Sequence, residues 1–157
     1  MLVTDQLAQR TGLTGFGYQG HDLGSFLALL SADGVSLLVD VRLTPISRKR
    51  GFSKRALSEA LASVGIDYEH ARPLGNPKDN RAGFSGPREE LEAARRKFSA
   101  ELARPAAQEW LAMIGEWASR RRVALLCFEA DQERCHRDVV AAAVQAMTCG
   151  EMHHRLG

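Results

Sequence analysis

The sequence has no apolar run approaching the ~18 residues of a membrane-spanning helix, so no transmembrane segment is expected. Its three cysteines, Cys127, Cys135 and Cys149, are odd in number and lack the spacing of a disulfide scaffold. Residues 1–12 place Asp5, Gln6, Gln9 and Arg10 where a signal peptide needs an apolar core. A reducing cytoplasm is the expected location, with free thiols. A net charge of +2 is too small to imply a polyanion partner on its own, so local clustering of charge has to decide that question. There is no internal repeat and no low-complexity tract. What remains is an ordinary globular composition, 45% hydrophobic and 25% charged. These features predict a polar lead-in over 1–12 and a single domain over 13–157.

Hydrophobic periodicity supplies the elements. A short strand is read at Leu13–Tyr18, then a helix from Leu23 with Asp22 as N-cap and Gly34 just past its end. The run Val35–Arg42 is apolar until its last residues and fits a strand covered on both faces. Ser53 is placed to cap a helix with Leu57, Ala60, Leu61 and Val64 as its stripe, and Ile66–His70 alternates as a third strand. Arg72–Gly86 is a long Pro-, Gly- and Asn-rich loop of the kind that is usually functional. Pro87 and Pro105 open two further helices, the second with Trp110, Met113, Ile114 and Trp117 as its core face. Val123–Leu126 is a buried strand, followed by a helix near Cys135, and Glu151–Leu156 reads as a last edge strand. Strand alternating with helix predicts an α/β fold: one compact domain, a mostly parallel sheet of about five strands, helices on both faces.

The chemistry-bearing residues gather at strand ends. Asp40-Val41-Arg42 is followed by Pro45 and Ser47, then by Phe52-Ser53-Lys54. Gly65-Ile66-Asp67-Tyr68 and Leu74-Gly75-Asn76-Pro77-Lys78 come next, and Cys127-x-Glu129-x5-Cys135-His136-Arg137 closes the series. In this order the blocks resemble the family known as domain of unknown function 488, over roughly Phe16 to His153. The resemblance implies a compact α/β domain with polar motifs at one end of the sheet. It implies no settled activity; an enzymatic or metal-binding role is what the family's Cys and His residues suggest.

Ligands of open parallel sheets bind outside the carboxyl ends of the strands. Cys135, near a helix start and between Arg134 and Arg137, is in surroundings that lower a thiol's pKa. His136 is a candidate acid or base, although neighbours on a helix point about a quarter-turn apart, so it need not touch the Cys135 sulfur. Glu129 and Asp40 are the candidate carboxylates, and Cys127 is expected to be core. Arg42, Arg48 and Arg137 are candidate anion ligands, with Ser47 as a hydroxyl contact and Tyr68 as a wall. A Cys-based phosphatase loop needs Cys-x5-Arg, which neither Cys127 nor Cys135 satisfies. Cys127, Glu129, Cys135 and His136, with His70 or His153, form a possible metal donor set. The C-x7-C spacing is not that of a structural zinc site, so no metal ligands are assigned and the cofactor is left open. The loop 42–55 holds six basic residues and no acidic one.

The leading expectation is an enzyme-like cleft for an anionic, phosphate-bearing or nucleic-acid-related substrate. The catalytic candidates are Asp40, Glu129, Cys135 and His136; the binding candidates are Arg42, Ser47, Arg48, Tyr68 and Arg137. The alternatives are a non-catalytic nucleic-acid-binding module built on the basic loop, and a metal-binding protein using Cys, His and Glu. No membrane partner is expected; the oligomeric state is left open.

Overall fold

A computed structural model describes residues 10–156, with side chains described as far as Thr148. The lead-in over residues 1–9 and the side chain of His153 lie outside the described residues. Four strands form one parallel sheet: β1 (Gly12–Gly17), β2 (Leu37–Asp40), β3 (Asp67–His70) and β4 (Arg122–Cys127), in the order β1-β4-β2-β3. The helices are α1 (Leu23–Ala32), α2 (Lys54–Ser63), the single turn α3 (Arg81–Phe84), α4 (Arg88–Glu101), α5 (Pro105–Ala118) and α6 (His136–Leu156).

The period-2 alternation of strand side chains sorts the core into two layers. Leu37, Val39, Val123, Leu125 and Cys127 face α4, α5 and α6, where they meet Leu91, Phe98, Leu111, Ile114 and Val140. Leu38, Ala124 and Leu126 face α1 and α2 and meet Phe26, Leu30, Leu57 and Leu61. The sheet is therefore covered on both sides, which explains why β2 and β4 read as continuous apolar runs. Among the described residues no helix is long and apolar enough to cross a membrane.

Local signals account for most boundaries. Asp22 caps α1, its Oδ1 accepting from the Ser25 amide at 2.8 Å. Arg72–Gly86 is not a featureless loop, because two 3-10 turns (Arg72–Leu74 and Lys78–Asn80) and α3 fold it against α4. Asn80 anchors it from the inside, donating through Nδ2 to Asn76 Oδ1 and to the Ala94 carbonyl, each at 3.0 Å. Gly75 is needed where this segment crosses the chain leaving β2, since a Cβ there would lie 2.4 Å from Leu43 Cα.

Four expectations need correction. The sheet has four strands rather than five, because Glu151–Leu156 continues α6. Gly150 lies inside that helix, where a glycine costs only ~1 kcal/mol relative to alanine and does not force a break. Ser53 precedes α2 without capping it through its side chain. Its hydroxyl instead accepts from the Ser47 amide at 3.0 Å and donates to the Ser47 carbonyl at 3.2 Å. On α5 the buried face is Ala107, Leu111 and Ile114; Trp110 and Trp117 flank it half-buried, and Met113 is exposed. The α2 stripe is likewise narrower than expected, with Leu57 and Leu61 buried but Val64 exposed.

Candidate functional site

A cleft of about 270 Å³ opens beyond the carboxyl ends of β4 and β2. Cys127, Glu129, Cys135 and His136 line it together with Arg42, Arg81, Arg134 and Asn76; Ile46 and Phe128 add apolar surface. Strand alternation turns Cys127 toward the α6 layer, and Cys135 and His136 stand where α6 begins. The loop joining β4 to α6 is held over the end of β1. The Tyr18 amide donates to the Cys127 carbonyl at 3.2 Å and the Gln19 amide to the Phe128 carbonyl at 2.8 Å. Gly17 makes this approach possible, since a Cβ on it would sit 1.8 Å from the Glu129 carbonyl oxygen.

His136 is the geometric centre of the floor. Its Nε2 lies 2.6 Å from the Val41 carbonyl oxygen, which can only accept, so Nε2 carries a proton. In the neutral ring Nδ1 is then an acceptor, and it lies 3.6 Å from Cys127 Sγ and 3.8 Å from Cys135 Sγ. Cys127 Sγ also reaches Glu129 Oε2 at 3.2 Å. All three residues of the Cys–Cys–His group are buried. The two thiols are held apart in acidity. Burial works against a thiolate at Cys135, but a hydrogen bond from Cys127 and the neighbouring His136 and Arg137 bring it down to about 6. Cys127 moves the other way, raised well above the ordinary thiol value by its hydrogen bond to Cys135, by burial and by Glu129. The two shifts run in opposite directions, Cys135 toward the thiolate and Cys127 toward the thiol.

Asp40 and Arg42 form a separate construction on the opposite face of the sheet, beneath α1 and α2. Asp40 is fully buried and Arg42 is 7% exposed. The Arg42 guanidinium donates to Asp40 through Nε at 2.9 Å and through Nη2 at 2.7 Å, and the Arg42 amide donates to Asp40 Oδ1 at 3.1 Å. Arg42 Nη1 is shared between the Phe52 carbonyl at 2.7 Å and the Tyr18 hydroxyl at 3.3 Å. Tyr68 donates to Asp40 Oδ2 at 2.5 Å. Burial opposes the Arg42 charge, but Asp40 outweighs it and holds the guanidinium above its ordinary value. Burial and the Asp40 carboxylate push the Tyr68 phenol upward as well. Asp40 thus has its oxygens occupied by internal donors, and neither it nor Tyr68 lines the cleft.

Of the other expected site residues, Arg137 is 1% exposed and braces the loop. It donates to Gln132 Oε1 at 2.6 Å, to the Glu129 carbonyl at 2.5 Å and to the Ala130 carbonyl at 3.4 Å. The Ser47 hydroxyl accepts from the Lys49 amide at 3.1 Å, and Arg48 is exposed; neither lines the cleft. His70 donates to the Arg42 carbonyl at 2.8 Å, away from the Cys–Cys–His group. The structure therefore brings together Glu129, Cys135, His136 and Arg42, and adds Cys127 to them.

Two arginines of the cleft were missed. Arg81 belongs to α3, inside the stretch that read as loop, and is exposed. Arg134 adjoins Cys135 and donates through Nη1 to the Phe84 carbonyl at 3.2 Å and the Gly86 carbonyl at 2.8 Å, tying the β4–α6 loop to the opposite wall. Its position directly before the Cys135-His136-Arg137 block was the available signal.

The model of the domain of unknown function DUF488 matches residues 22–144, well over half of the sequence, and the chain belongs to that family. The match takes in the Cys–His–Glu floor with Asp40, Arg42, Tyr68 and Arg137, and leaves out β1, Tyr18 and the end of α6. No curated protein and no solved structure matches the chain.

Proposed function

We propose that the protein is an enzyme whose cleft takes a small phosphate-bearing substrate. The observation that supports this reading is the lining itself. Three guanidinium groups, Arg42, Arg81 and Arg134, share one cleft with Glu129, Cys135 and His136. Glu129 is the one carboxylate among the described lining residues. Such a cleft attracts an anion and holds it beside groups able to move protons. Arg81 and Arg134 are the principal anion ligands. Arg42 borders the cleft, but most of its donors are engaged within the protein and its charge is paired with Asp40. Ile46, 74% exposed, and Phe128, 44% exposed, line the same cleft and favour a substrate with a flat apolar part, such as a nucleotide or an aryl phosphate.

A nucleic-acid-binding module has less support. Lys49 is turned inward, its Nζ donating to the Tyr18 carbonyl at 3.1 Å and the His21 carbonyl at 2.7 Å, and Arg55 pairs with Glu59 at 3.2 Å. Those contacts subtract cations from the face a polyanion would meet.

Titration calorimetry with orthophosphate, phenyl phosphate and adenosine monophosphate tests the reading. At least one of them is expected to bind, and Arg81→Ala should weaken it by about fivefold, the effect of a ~1 kcal/mol charged contact. If none of the three binds, or if Arg81→Ala and Arg134→Gln both bind as tightly as the parent, the cleft is not an anion site.

A further inference from the structure

We propose that the floor of the cleft is a zinc site, with Cys127, Cys135 and His136 as protein ligands and a fourth position open to the cleft. The proposal rests on the cleft reading for the role of the open position, and on the geometry of the floor for the metal itself.

The ligating atoms of the three residues all lie within 4.8 Å of one another, and all three residues are buried. Zinc bonds of ~2.3 Å to sulfur and ~2.0–2.1 Å to nitrogen, at a tetrahedral angle, put the nitrogen and each sulfur roughly 3.6 Å apart. The observed separations from His136 Nδ1 are 3.6 Å to Cys127 Sγ and 3.8 Å to Cys135 Sγ. A helix start supplies Cys135 and His136 and a strand end supplies Cys127. The C-x7-C spacing, unlike a paired knuckle, thus closes in space.

The second, independent observation is the orientation of the imidazole. A metal-bound histidine characteristically donates its other ring N–H to a carbonyl or carboxylate, which fixes the tautomer and aims the ligating lone pair. His136 does this through Nε2 to the Val41 carbonyl at 2.6 Å, leaving the unprotonated Nδ1 directed between two sulfurs. Two thiolates and an imidazole suit zinc among the common divalent ions. On binding, each thiol still protonated loses its proton to solvent and His136 loses none, so two thiolates neutralise the ion in its buried position. Glu129, whose Oε2 is 3.2 Å from Cys127 Sγ, lines the cleft onto which the fourth position would open. Three protein ligands and one exchangeable position are the pattern of a catalytic rather than a structural zinc site.

The test uses untagged full-length protein expressed with zinc, dialysed against metal-free buffer and analysed for metal. About one zinc per chain is expected in the parent and Arg81→Ala proteins, falling at least tenfold in Cys135→Ser and His136→Gln. Metal-free protein titrated with cobalt(II) should develop the strong visible absorption of a tetrahedral cobalt–thiolate centre. This second readout uses only the parent protein and stands even if the variants fail to fold. Parent protein that keeps no zinc and gives no such absorption with cobalt overturns the proposal. Zinc retained without phosphate binding would overturn the anion reading alone, and phosphate binding without zinc would overturn only the metal.

Discussion

Removing Arg42 probes whether the buried pair beneath α1 and α2 is structural. Arg42→Met keeps an unbranched apolar stem of similar reach and deletes the guanidinium. The Asp40 carboxylate, fully buried, would then keep only the Tyr68 hydroxyl and the backbone amide of residue 42 as donors. The Phe52 carbonyl would lose the donor it has at 2.7 Å. Stranding one member of a buried ion pair costs about 3–5 kcal/mol. At ~2–4 °C per kcal/mol for a domain of this size, the melting temperature should fall by roughly 6–20 °C. The loss belongs to the orphaned charge, so Asp40→Leu combined with Arg42→Met should be more stable than Arg42→Met alone by ~1 kcal/mol or more. Urea unfolding of the two single variants, the double variant and the parent supplies all four corners of the cycle. An Arg42→Met protein within about 1 kcal/mol of the parent, or a double variant whose loss equals the sum of the single losses, would refute the assignment.

Two further outcomes are expected. Gly17→Ala should destabilise by ~1–3 kcal/mol, because its methyl group would overlap the Glu129 carbonyl and force the β4–α6 loop to move. Gly24→Ala, whose nearest neighbour would be 3.6 Å away inside α1, should instead be neutral or stabilising by up to ~1 kcal/mol; the opposite ordering in a thermal melt would contradict both contacts. For Asp22, the Ser25 amide holds the carboxyl below its usual 3.8. A depressed folded-state value means stabilisation that is present above pH 3.8 and lost as pH falls through the lowered value. The melting-temperature gap between the parent and Asp22→Ala should therefore be widest near neutrality and shrink in acid; a gap independent of pH would argue against the cap.

The sequence revealed the sheet and the place of the site better than it revealed their partners. Asp22, the apolar runs of β2 and β4, and the start of α6 each rest on near-neighbour chemistry, and each appears in the structure close to where it was read. Asp40 and Arg42 show the limit. Their spacing put both side chains on one face of β2, which is correct. Nothing in one strand's pattern says that this face lies under α1 and α2, across the sheet from Cys127. Arg137, a candidate anion ligand with Arg42, is out of reach for a related reason, since it turns back on its own loop. Cys127 was read as core and is buried, yet its sulfur also meets His136, a contact made across residues that spacing rules judge too far apart. Arg81 stayed hidden because α3 is a single turn held by Asn80, and so short an element leaves no periodicity to detect.

The attachment of His136 to Val41 has a consequence for how the cleft moves. The imidazole is fastened to the chain at the end of β2, and the Val41 amide donates in turn to the Leu126 carbonyl of β4 at 3.1 Å. This floor should share the picosecond-to-nanosecond stiffness of the central strands. The facing wall of Asn76, Arg81 and Phe84 belongs to no strand; Asn80 and the two carbonyl contacts of Arg134 secure it. Any breathing that admits a ligand would then fall to the 76–86 segment on slower timescales, while the geometry of the floor stays fixed before the ligand arrives.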